Sequence, residues 1–315
     1  TAYEIKECDW SSDVCSSDLL TTFKDIIDEA NLALTGYTNR QDQATYLLGN
    51  IGSTDLTFQV ADGTVLTRGL VEIDDELIWV DSFDRTTNTA TVAPYGRGFR
   101  DTTATPHTAG ARVTITPSFP RSVIRRNINL AIDGVYPDLF GVFYTYFNFQ
   151  AAVTTYAIPN EAVDIVAASW QTIGPSKEWL PIRHYRLDRT AYPTVWPTGK
   201  TISIREGIVP GRTVNVVYTK KPVNLQYDAD DFSMTGLQDS AREVIILGAA
   251  YRTAMYLDLG RVPAATAEAD AQQGNDPVGS AVNIGRAIQA QYQQRLAQEV
   301  RRLQEQYPQR THYSS

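Results

Sequence analysis

The stretch IDDELIWV, residues 73–80, places three consecutive acidic residues between apolar residues that favour β-strands. Runs of strong strand formers on either side of a short polar cluster are typical of two strands joined by a tight turn. We therefore predict a β-hairpin whose acidic turn, Asp74–Glu76, faces solvent. The residues expected in the interior of this module are Ile73, Leu77, Trp79 and Val113.

The same acidic run could instead hold a calcium ion, because hard cations bind several carboxylate oxygens. Its members are Glu72, Asp74, Asp75, Glu76 and Asp81. The run lacks the Asp-x-Asp-x-Asp-Gly order of a dedicated calcium loop, and apolar residues surround it. We therefore favour the hairpin and expect no metal site.

Short strand signals extend from this hairpin in both directions and fill two blocks of the chain. The strands predicted in the first block are Thr57–Val60, Val71–Ile73, Leu77–Val80, Thr89–Ala93 and Arg112–Thr116. Those predicted in the second block are Tyr144–Phe149, Thr155–Ile158, Asp164–Gln171, Thr201–Arg205 and Thr213–Tyr218. Five short strands within residues 51–116 predict a small barrel or sandwich.

Apolar residues spaced by three and four predict four helices around these blocks. The first predicted helix is residues 21–35, and the second follows Pro120 and stops at Gly134. The third starts after Asp239–Ser240 and runs to about Leu257, and the longest is Asn283–Tyr307. Thr22 and Asp25 are expected to cap the first helix. In the third helix, the small residues Gly248–Ala250 leave room for close packing against another element.

These elements predict an α+β protein. A helical framework with four main helices, including a long C-terminal helix, carries a small inserted β-barrel or sandwich and a second β domain. The framework is expected to combine residues 20–50, 117–142 and 237–315. The inserted β module is expected at 51–116, and the second β domain at 143–236.

The first nineteen residues, TAYEIKECDWSSDVCSSDL, have no hydrophobic period and no signal-peptide core. They back-translate, codon by codon, into a common short-read sequencing adapter around a short index. We interpret residues 1–19 as an adapter-derived artefact that is disordered and foreign to the fold. This segment contains both cysteines, Cys8 and Cys15. The rest of the chain then offers no disulfide, no thiolate nucleophile and no cysteine-bound zinc.

The charge balance limits the classes of partner. The whole chain carries a formal charge of −8, and residues 1–19 contribute one lysine and five carboxylates to it. The remaining residues are therefore only mildly acidic, whereas a sequence-independent nucleic-acid binder shows a strong basic excess. No apolar run approaches the roughly 20 residues of a membrane span, so we expect no membrane partner.

Catalytic motifs are missing from the sequence. The only histidines are His107, His184 and His312, and none lies in a metal-binding HExxH motif. The chain also has no G-x-S-x-G nucleophile elbow and no glycine-rich phosphate loop. We therefore predict a protein that is not an enzyme and needs no cofactor. Arg121, Arg125 and Arg126 lie on one side of the second helix. Phosphate binding is one alternative there, but a solvated helix face or pairing with a partner's carboxylates is favoured.

The fourth helix carries one narrow apolar stripe on a helix otherwise rich in Gln, Glu and Arg. The stripe consists of Ile284, Ile288, Tyr292, Leu296, Val300, Leu303 and Tyr307. A narrow seam indicates packing against a single other helix. That helix could belong to a neighbouring subunit, or it could be the third helix of the same chain, and the sequence leaves both alternatives open.

The hairpin is followed by the loop YGRGFRDTTATPHTAG, residues 95–110. Together they resemble a module common in tailed-phage virion proteins, in which a DDE hairpin precedes an R-G-x-x-x-T-T-A-x-x-H-x-A-G loop. The glycines suit tight bends, and the threonines and the histidine can hydrogen-bond the loop to itself. The loop residues singled out in this way are Gly96, Gly98, Thr102, Thr103, His107 and Gly110.

The remaining layout of residues 20–315 resembles the head-to-tail adaptor (connector or neck) proteins of tailed phages. The resemblance includes YAIPNE at 156–161 and the segment from Arg205 to the Asp230–Asp231 approach to the third helix. It implies a homo-oligomeric, dodecameric ring in the virion that joins the portal protein to the tail or to the next neck protein. Genomic DNA would pass through the lumen without sequence-specific binding.

In such rings the C-terminal helix and tail dock on the portal. Carried over, the resemblance assigns the portal or subunit interface to the stripe of the fourth helix and to Arg310 and Tyr313. Two other classes remain open. A tail or baseplate structural protein would show exposed aromatic clusters on its β modules, and a tail-associated glycan-cleaving enzyme would show a cleft with paired acids.

Overall fold

The computed structural model describes residues 21–35, 42–173, 177–259 and 280–307. Residues 1–19, which we interpret as adapter-derived, lie outside this described part. Arg310 and Tyr313, which are assigned to the interface, also lie outside it. The described part contains four α-helices: α1 Phe23–Thr35, α2 Arg121–Gly134, α3 Arg242–Leu259 and α4 Ser280–Gln306. Within the described residues, no helix combines the length and apolarity needed to cross a bilayer.

Thirteen strands form three antiparallel sheets in the described residues. The first sheet consists of β1 Gln43–Tyr46, β2 Thr57–Gln59, β3 Gly69–Ile73, β4 Glu76–Asp84, β5 Thr89–Val92 and β6 Arg112–Ile115. Its order is β1-β6-β3-β4-β5-β2. An additional bridge between Leu47 and Val60 joins the residues that follow the two edge strands, so the sheet curls towards closure.

The other two sheets lie between α2 and α3 in the chain. The second sheet has the order β10-β9-β13-β7, and the third has the order β11-β12-β8. Their strands are β7 Gly141–Asn148, β8 Thr155–Ala157, β9 Asp164–Gln171, β10 Trp179–Pro181, β11 Tyr185–Asp188, β12 Thr201–Ile204 and β13 Thr213–Lys220. The long strand β13 pairs with both β7 and β9 and so forms the centre of the second sheet.

The buried apolar side chains of the described residues fall into three clusters. One lies between the four helices and includes Phe23, Ile128 and Phe232. The second lies inside the curled six-stranded sheet, and the third lies between the two smaller sheets. Each large aliphatic side chain fully removed from water stabilises the fold by about 1.5–3 kcal/mol.

The predicted fold class is wrong. The protein is mostly β, with a curled six-stranded sheet and two further sheets beside four helices, and it is not a helical framework with a small inserted β domain. One reason is β1, which lies before the expected insert and pairs with β6 far along the chain, Gln43 opposite Ile115. A strand of four mostly exposed residues, QATY, has too weak a hydrophobic period to be recognised locally.

The hairpin itself is present, with β3 and β4 paired from Gly69–Val80 to Ile73–Glu76. Ile73, Leu77 and Val113 are buried as predicted. Trp79 is only half-buried, which corrects the expectation of an interior position. Successive strand residues point to opposite faces, and the Trp79 ring is covered by Phe99, with the ring centroids 5.3 Å apart.

The predicted helix cap is confirmed. The backbone N–H of Thr22 donates to the Asp25 carboxylate at 3.0 Å, and the backbone N–H of Asp25 donates to the Thr22 hydroxyl at 3.3 Å. These bonds satisfy amides that have no partner inside the first turn of a helix. Hydrogen bonds from Thr22 also hold the pKa of Asp25 below its ordinary value.

Candidate functional site

The loop of residues 93–111 folds back onto the start of β4. Gly98 and Gly110 have left-handed backbone angles, φ +61° and φ +86°, which glycine adopts without the strain of a β-carbon. At Gly96 a β-carbon would lie 2.6 Å from the Trp79 carbonyl oxygen, so only glycine fits. The prediction that these glycines occupy tight bends is confirmed.

The loop closes on one carboxylate, that of Glu76. Arg97 donates to it through Nε at 2.7 Å and Nη2 at 3.0 Å. The backbone amides of Gly98 and Thr105 donate at 3.0 and 3.1 Å, and Nε2 of His107 lies 2.8 Å from Oε2. A carboxylate has about four lone-pair sites, so this group is saturated and has no position left for a metal or substrate.

The partners of Glu76 are themselves held in place. Arg97 also donates to the carbonyl oxygens of Gly52, Asp55 and Thr105, and its side chain is 7% exposed. His107 bridges two carboxylates of the hairpin, with Nδ1 2.7 Å from Asp74. We call Asp74, Glu76, Arg97 and His107 the loop cluster. Its bonds join hairpin and loop into one rigid unit.

Of the two threonines, Thr102 confirms the expectation and Thr103 does not. Thr102 donates to the Phe99 carbonyl at 2.9 Å and accepts from the Leu77 amide at 3.1 Å, so it joins the loop to itself and to the hairpin. Thr103 makes no hydrogen bond within the described part of the chain. The prediction of a solvent-facing acidic turn is wrong for Glu76, whose side chain is fully buried, because Arg97 and His107 compensate its charge.

The loop cluster shifts the protonation of its members. Burial by itself would raise the pKa of Glu76, but hydrogen bonds from His107, Arg97 and two backbone amides outweigh burial and lower this pKa to about 2. Burial would likewise lower the pKa of His107, but bonds to Asp74 and Glu76 outweigh it and raise this pKa to about 9. The cluster is therefore a charged, fully paired network at neutral pH.

The raised pKa of His107 predicts that the protein loses stability at alkaline pH. The folded pKa of His107 lies above its unfolded value of 6.5, so its contribution is complete below pH 6.5 and is lost as the pH rises through about 9. We expect the free energy of unfolding to fall across this window by about 1–3 kcal/mol. Chemical denaturation at a series of pH values measures this fall as the slope of the free energy of unfolding against pH. The control is His107→Gln, which should lack the slope. An equal slope in both proteins would contradict it.

A second polar region lies where the six-stranded sheet meets the helices. Arg121 and Arg125 at the start of α2 pair with Asp75 of the hairpin turn, at 3.4 and 2.6 Å. Arg121 also pairs with Asp28 of α1, and Arg125 with Asp228. The prediction of a solvated face or of a partner's carboxylates is wrong for Arg121 and Arg125, because both pair with carboxylates of their own chain. Arg126 is exposed, as a solvated face requires. We call these pairs of Arg121 and Arg125 with Asp28, Asp75 and Asp228 the ladder, and they connect the hairpin turn to the helices.

A cavity of about 410 Å³ opens beside the ladder. Its lining includes Lys24, Asp42, Glu72 and Arg112. Burial raises the pKa of Glu72 to about 8, although the Arg121 backbone amide donates to its carboxyl group at 2.6 Å. The acidic run of the sequence is thus divided between separate partners, and the described residues contain no cluster of three or more groups that could hold a metal ion.

The raised pKa of Glu72 predicts that removing its charge makes the folded protein more stable at high pH. Its folded pKa lies above the ordinary value of 4.5, so the folded state loses stability as the pH rises from about 4.5 through 8. Glu72→Gln keeps an acceptor for the Arg121 amide but cannot ionise. We expect it to raise the free energy of unfolding at pH 9 by about 1–3 kcal/mol and to change it little at pH 5. Denaturant titrations at the two pH values test this, and equal effects at both would refute it.

The stripe of α4 packs on α3. Ile288, Tyr292 and Leu303 are buried in the helical cluster. Leu296, Val300 and Tyr307 are half-buried against the same cluster. Of the two alternatives left open, the structure has the helix hairpin within one chain, and Gly248 allows the close approach of Tyr292. The side chain of Ile284 lies outside the described part. The interface role of the stripe stays a prediction, and a partner would meet these side chains only after α4 leaves α3.

The second sheet carries an aromatic surface that was not predicted from the sequence. Tyr144 and Tyr146 of β7 are exposed, and the Tyr146 ring lies 6.3 Å from the ring of Trp179 on β10. Asn215 stands opposite Tyr146, and its side-chain oxygen is buried without a hydrogen-bond partner among the described residues. The signal was the alternation in FYTYFN, which puts aromatic rings on both faces of one strand.

Comparison with protein-family models and with curated proteins finds no match to this chain.

Proposed function

We propose that this chain is a structural protein of a tailed-phage neck, whose copies form a ring that joins the portal to the tail and lets DNA pass. The observation that supports the proposal is the loop cluster. The two halves of the motif that resembles virion proteins, the DDE hairpin and the RG…TTA…H…AG loop, meet at the carboxylate of Glu76. The shared residues therefore have a common physical role in building one module.

The loop cluster also favours a mechanical role over a chemical one. Glu76 and His107 are the members of the loop cluster best suited to acid–base chemistry, and each is bonded to protein groups on its functional atoms. A general acid or base must reach a substrate proton within hydrogen-bonding distance. A residue whose lone pairs are all occupied by its own fold serves to hold a loop in place.

Ring formation on a portal tests the proposal. The chain would be mixed with the portal protein encoded beside it, and negative-stain electron microscopy and co-sedimentation would be used to detect a ring on the portal. Removal of residues 309–315, which include Arg310 and Tyr313, should weaken binding and leave the described fold intact. Truncation after Gly279 is unsuitable because it strips Ile288, Tyr292 and Leu303 from the core. A full chain that never binds portal or neck proteins would refute the assignment.

A tail or baseplate protein is the second candidate, and the aromatic surface favours it. Exposed Tyr144 and Tyr146 beside Trp179 form the kind of aromatic cluster on a β domain that a binding module presents. Antibodies against this chain, applied to intact virions, would distinguish the two positions. Labelling at the neck supports the first proposal, and labelling at the distal end of the tail supports the second.

A further inference from the structure

Strand β7 leaves one long edge of the second sheet open. It pairs with β13 along all eight residues, Gly141–Asn148, and no described strand lies on its other side. Its sequence, GVFYTYFN, has no charged residue and no proline. Residues 142–148 all keep some solvent exposure, including those that face the core.

The hydrogen bonds that follow the strand show which backbone groups point outward. The Phe149 amide donates to the Arg212 carbonyl at 2.8 Å, and the Gly211 amide donates to the Phe149 carbonyl at 2.7 Å. Bonded and non-bonded positions alternate along an antiparallel pair, so Phe147, Thr145 and Phe143 bond to β13. The residues whose N–H and C=O groups point away from β13 are Val142, Tyr144, Tyr146 and Asn148. Within the described chain, no hydrogen bond reaches these outward groups.

Such an edge is unusual in this protein. Natural sheets blunt their edges with short strands, charges or prolines, because free backbone groups recruit further strands. The other edge strands of the three sheets have only three or four residues, and β10 ends in Pro181. β7 has no charge, no proline and no shortening. At its first end Val142 packs on the helical cluster, and the Tyr144 side chain is hydrogen-bonded with Tyr307 at the end of α4. Tyr144 and Tyr146 are nevertheless 54% and 59% exposed.

We propose that the β7 edge is a self-association site, at which two copies of this chain pair β7 with β7 in antiparallel orientation about a two-fold axis at Thr145. β7 has eight residues and the other described edge strands have at most four, so only the β7 of a second copy can pair with it along its whole length. The absence of charge on β7 removes electrostatic repulsion between the copies. With this register, Tyr144 stands opposite the partner's Tyr146, and every outward group meets an outward group. Cross-strand aromatic pairs of this kind stabilise antiparallel sheets.

The pairing concerns the free chain and goes beyond the proposed neck function, on which it does not depend. An isologous contact uses each edge once and closes on itself, so it cannot by itself propagate a ring. The two fused second sheets would form one continuous sheet across the axis. Pairing would also cover the strand that is most exposed to aggregation.

Two charge-pattern variants test the register. Tyr144→Lys combined with Tyr146→Glu places opposite charges across the axis, and Tyr144→Lys combined with Tyr146→Lys places like charges there. We expect the dissociation constant of the like-charge variant to be at least about tenfold higher than that of the opposite-charge variant. Sedimentation velocity over a dilution series measures both. Tyr192→Lys with Val195→Lys, at exposed positions elsewhere, makes the same charge change and should leave association unchanged.

A measurement on the unaltered chain covers the case in which a variant fails to fold. Hydrogen exchange should show that the amides of Tyr144 and Tyr146 are protected at high protein concentration and lose protection on dilution, while the Thr145 amide stays protected at both. An unaltered chain that is monomeric at every concentration would overturn the proposal. Equal association of the two charge-pattern variants, or exchange that does not depend on concentration, would also overturn it.

Discussion

Replacing Arg97 with alanine is expected to lower the free energy of unfolding by about 3–5 kcal/mol, the largest effect of any single change at the loop cluster. The reason is the carboxylate left behind. Glu76 is fully buried, and Arg97 supplies two of its bonds. Breaking a buried pair from one side leaves an uncompensated charge in a medium of low polarity. The three carbonyl oxygens that accept from Arg97 lose their donor as well.

An exposed pair in the same sheet provides the matched control. Arg68 and Asp81 are also 2.7 Å apart, but their side chains are 70% and 48% exposed. Arg68→Ala should therefore change stability by no more than about 1 kcal/mol. Urea titrations followed by tryptophan fluorescence compare the two variants, and Glu76→Gln added to Arg97→Ala should recover part of the loss. Similar losses for Arg97→Ala and Arg68→Ala would show that burial of the pair has no role.

The second large effect is expected at Tyr292. Its ring lies between α4 and α3, 5.2 Å from the Tyr251 ring, and a β-carbon on Gly248 would lie 3.1 Å from it. Tyr292→Ala removes this aromatic side chain from a buried position and should lower the free energy of unfolding by about 3–5 kcal/mol. The loss should be measurable by denaturant titration of dilute, monomeric protein, because the contact lies within one chain.

Gln293→Ala is the control for Tyr292→Ala. Gln293 is exposed on the same helix, and alanine favours helix formation, so we expect a change within about 0.5 kcal/mol. If the stripe of α4 serves chiefly to join subunits, the outcome differs. Tyr292→Ala would then leave the stability of the dilute protein unchanged and reduce only its association.

The sequence predicted individual elements better than it predicted the fold. The four helices were found because their apolar residues repeat at helical spacing, and each predicted boundary lies within about three residues of the observed one. Most strands were found from β-branched and aromatic runs. Strands β1, β10 and β11 were missed, since each has at most four residues and none shows a clear alternation of buried and exposed positions over its length.

The loop cluster shows why local patterns are not enough. The alternation of β4 puts Glu76 on the same face as Ile78 and Val80, which was a signal of burial. A buried carboxylate is acceptable only with partners, and its partners Arg97 and His107 lie 21 and 31 positions later. No local period connects such residues. Without that connection, the acidic run reads as a solvent-facing turn.

The helical cluster has a consequence for the order of folding during synthesis. Its residues come from α1 near the beginning of the described chain and from α3 and α4 near its end. The six-stranded sheet, in contrast, is complete once β6 has been made, and the two smaller sheets once β13 has been made. Contacts between distant segments form late because closing long loops costs entropy. Both β cores can therefore fold during synthesis before α3 and α4, which pack with α1, have been made.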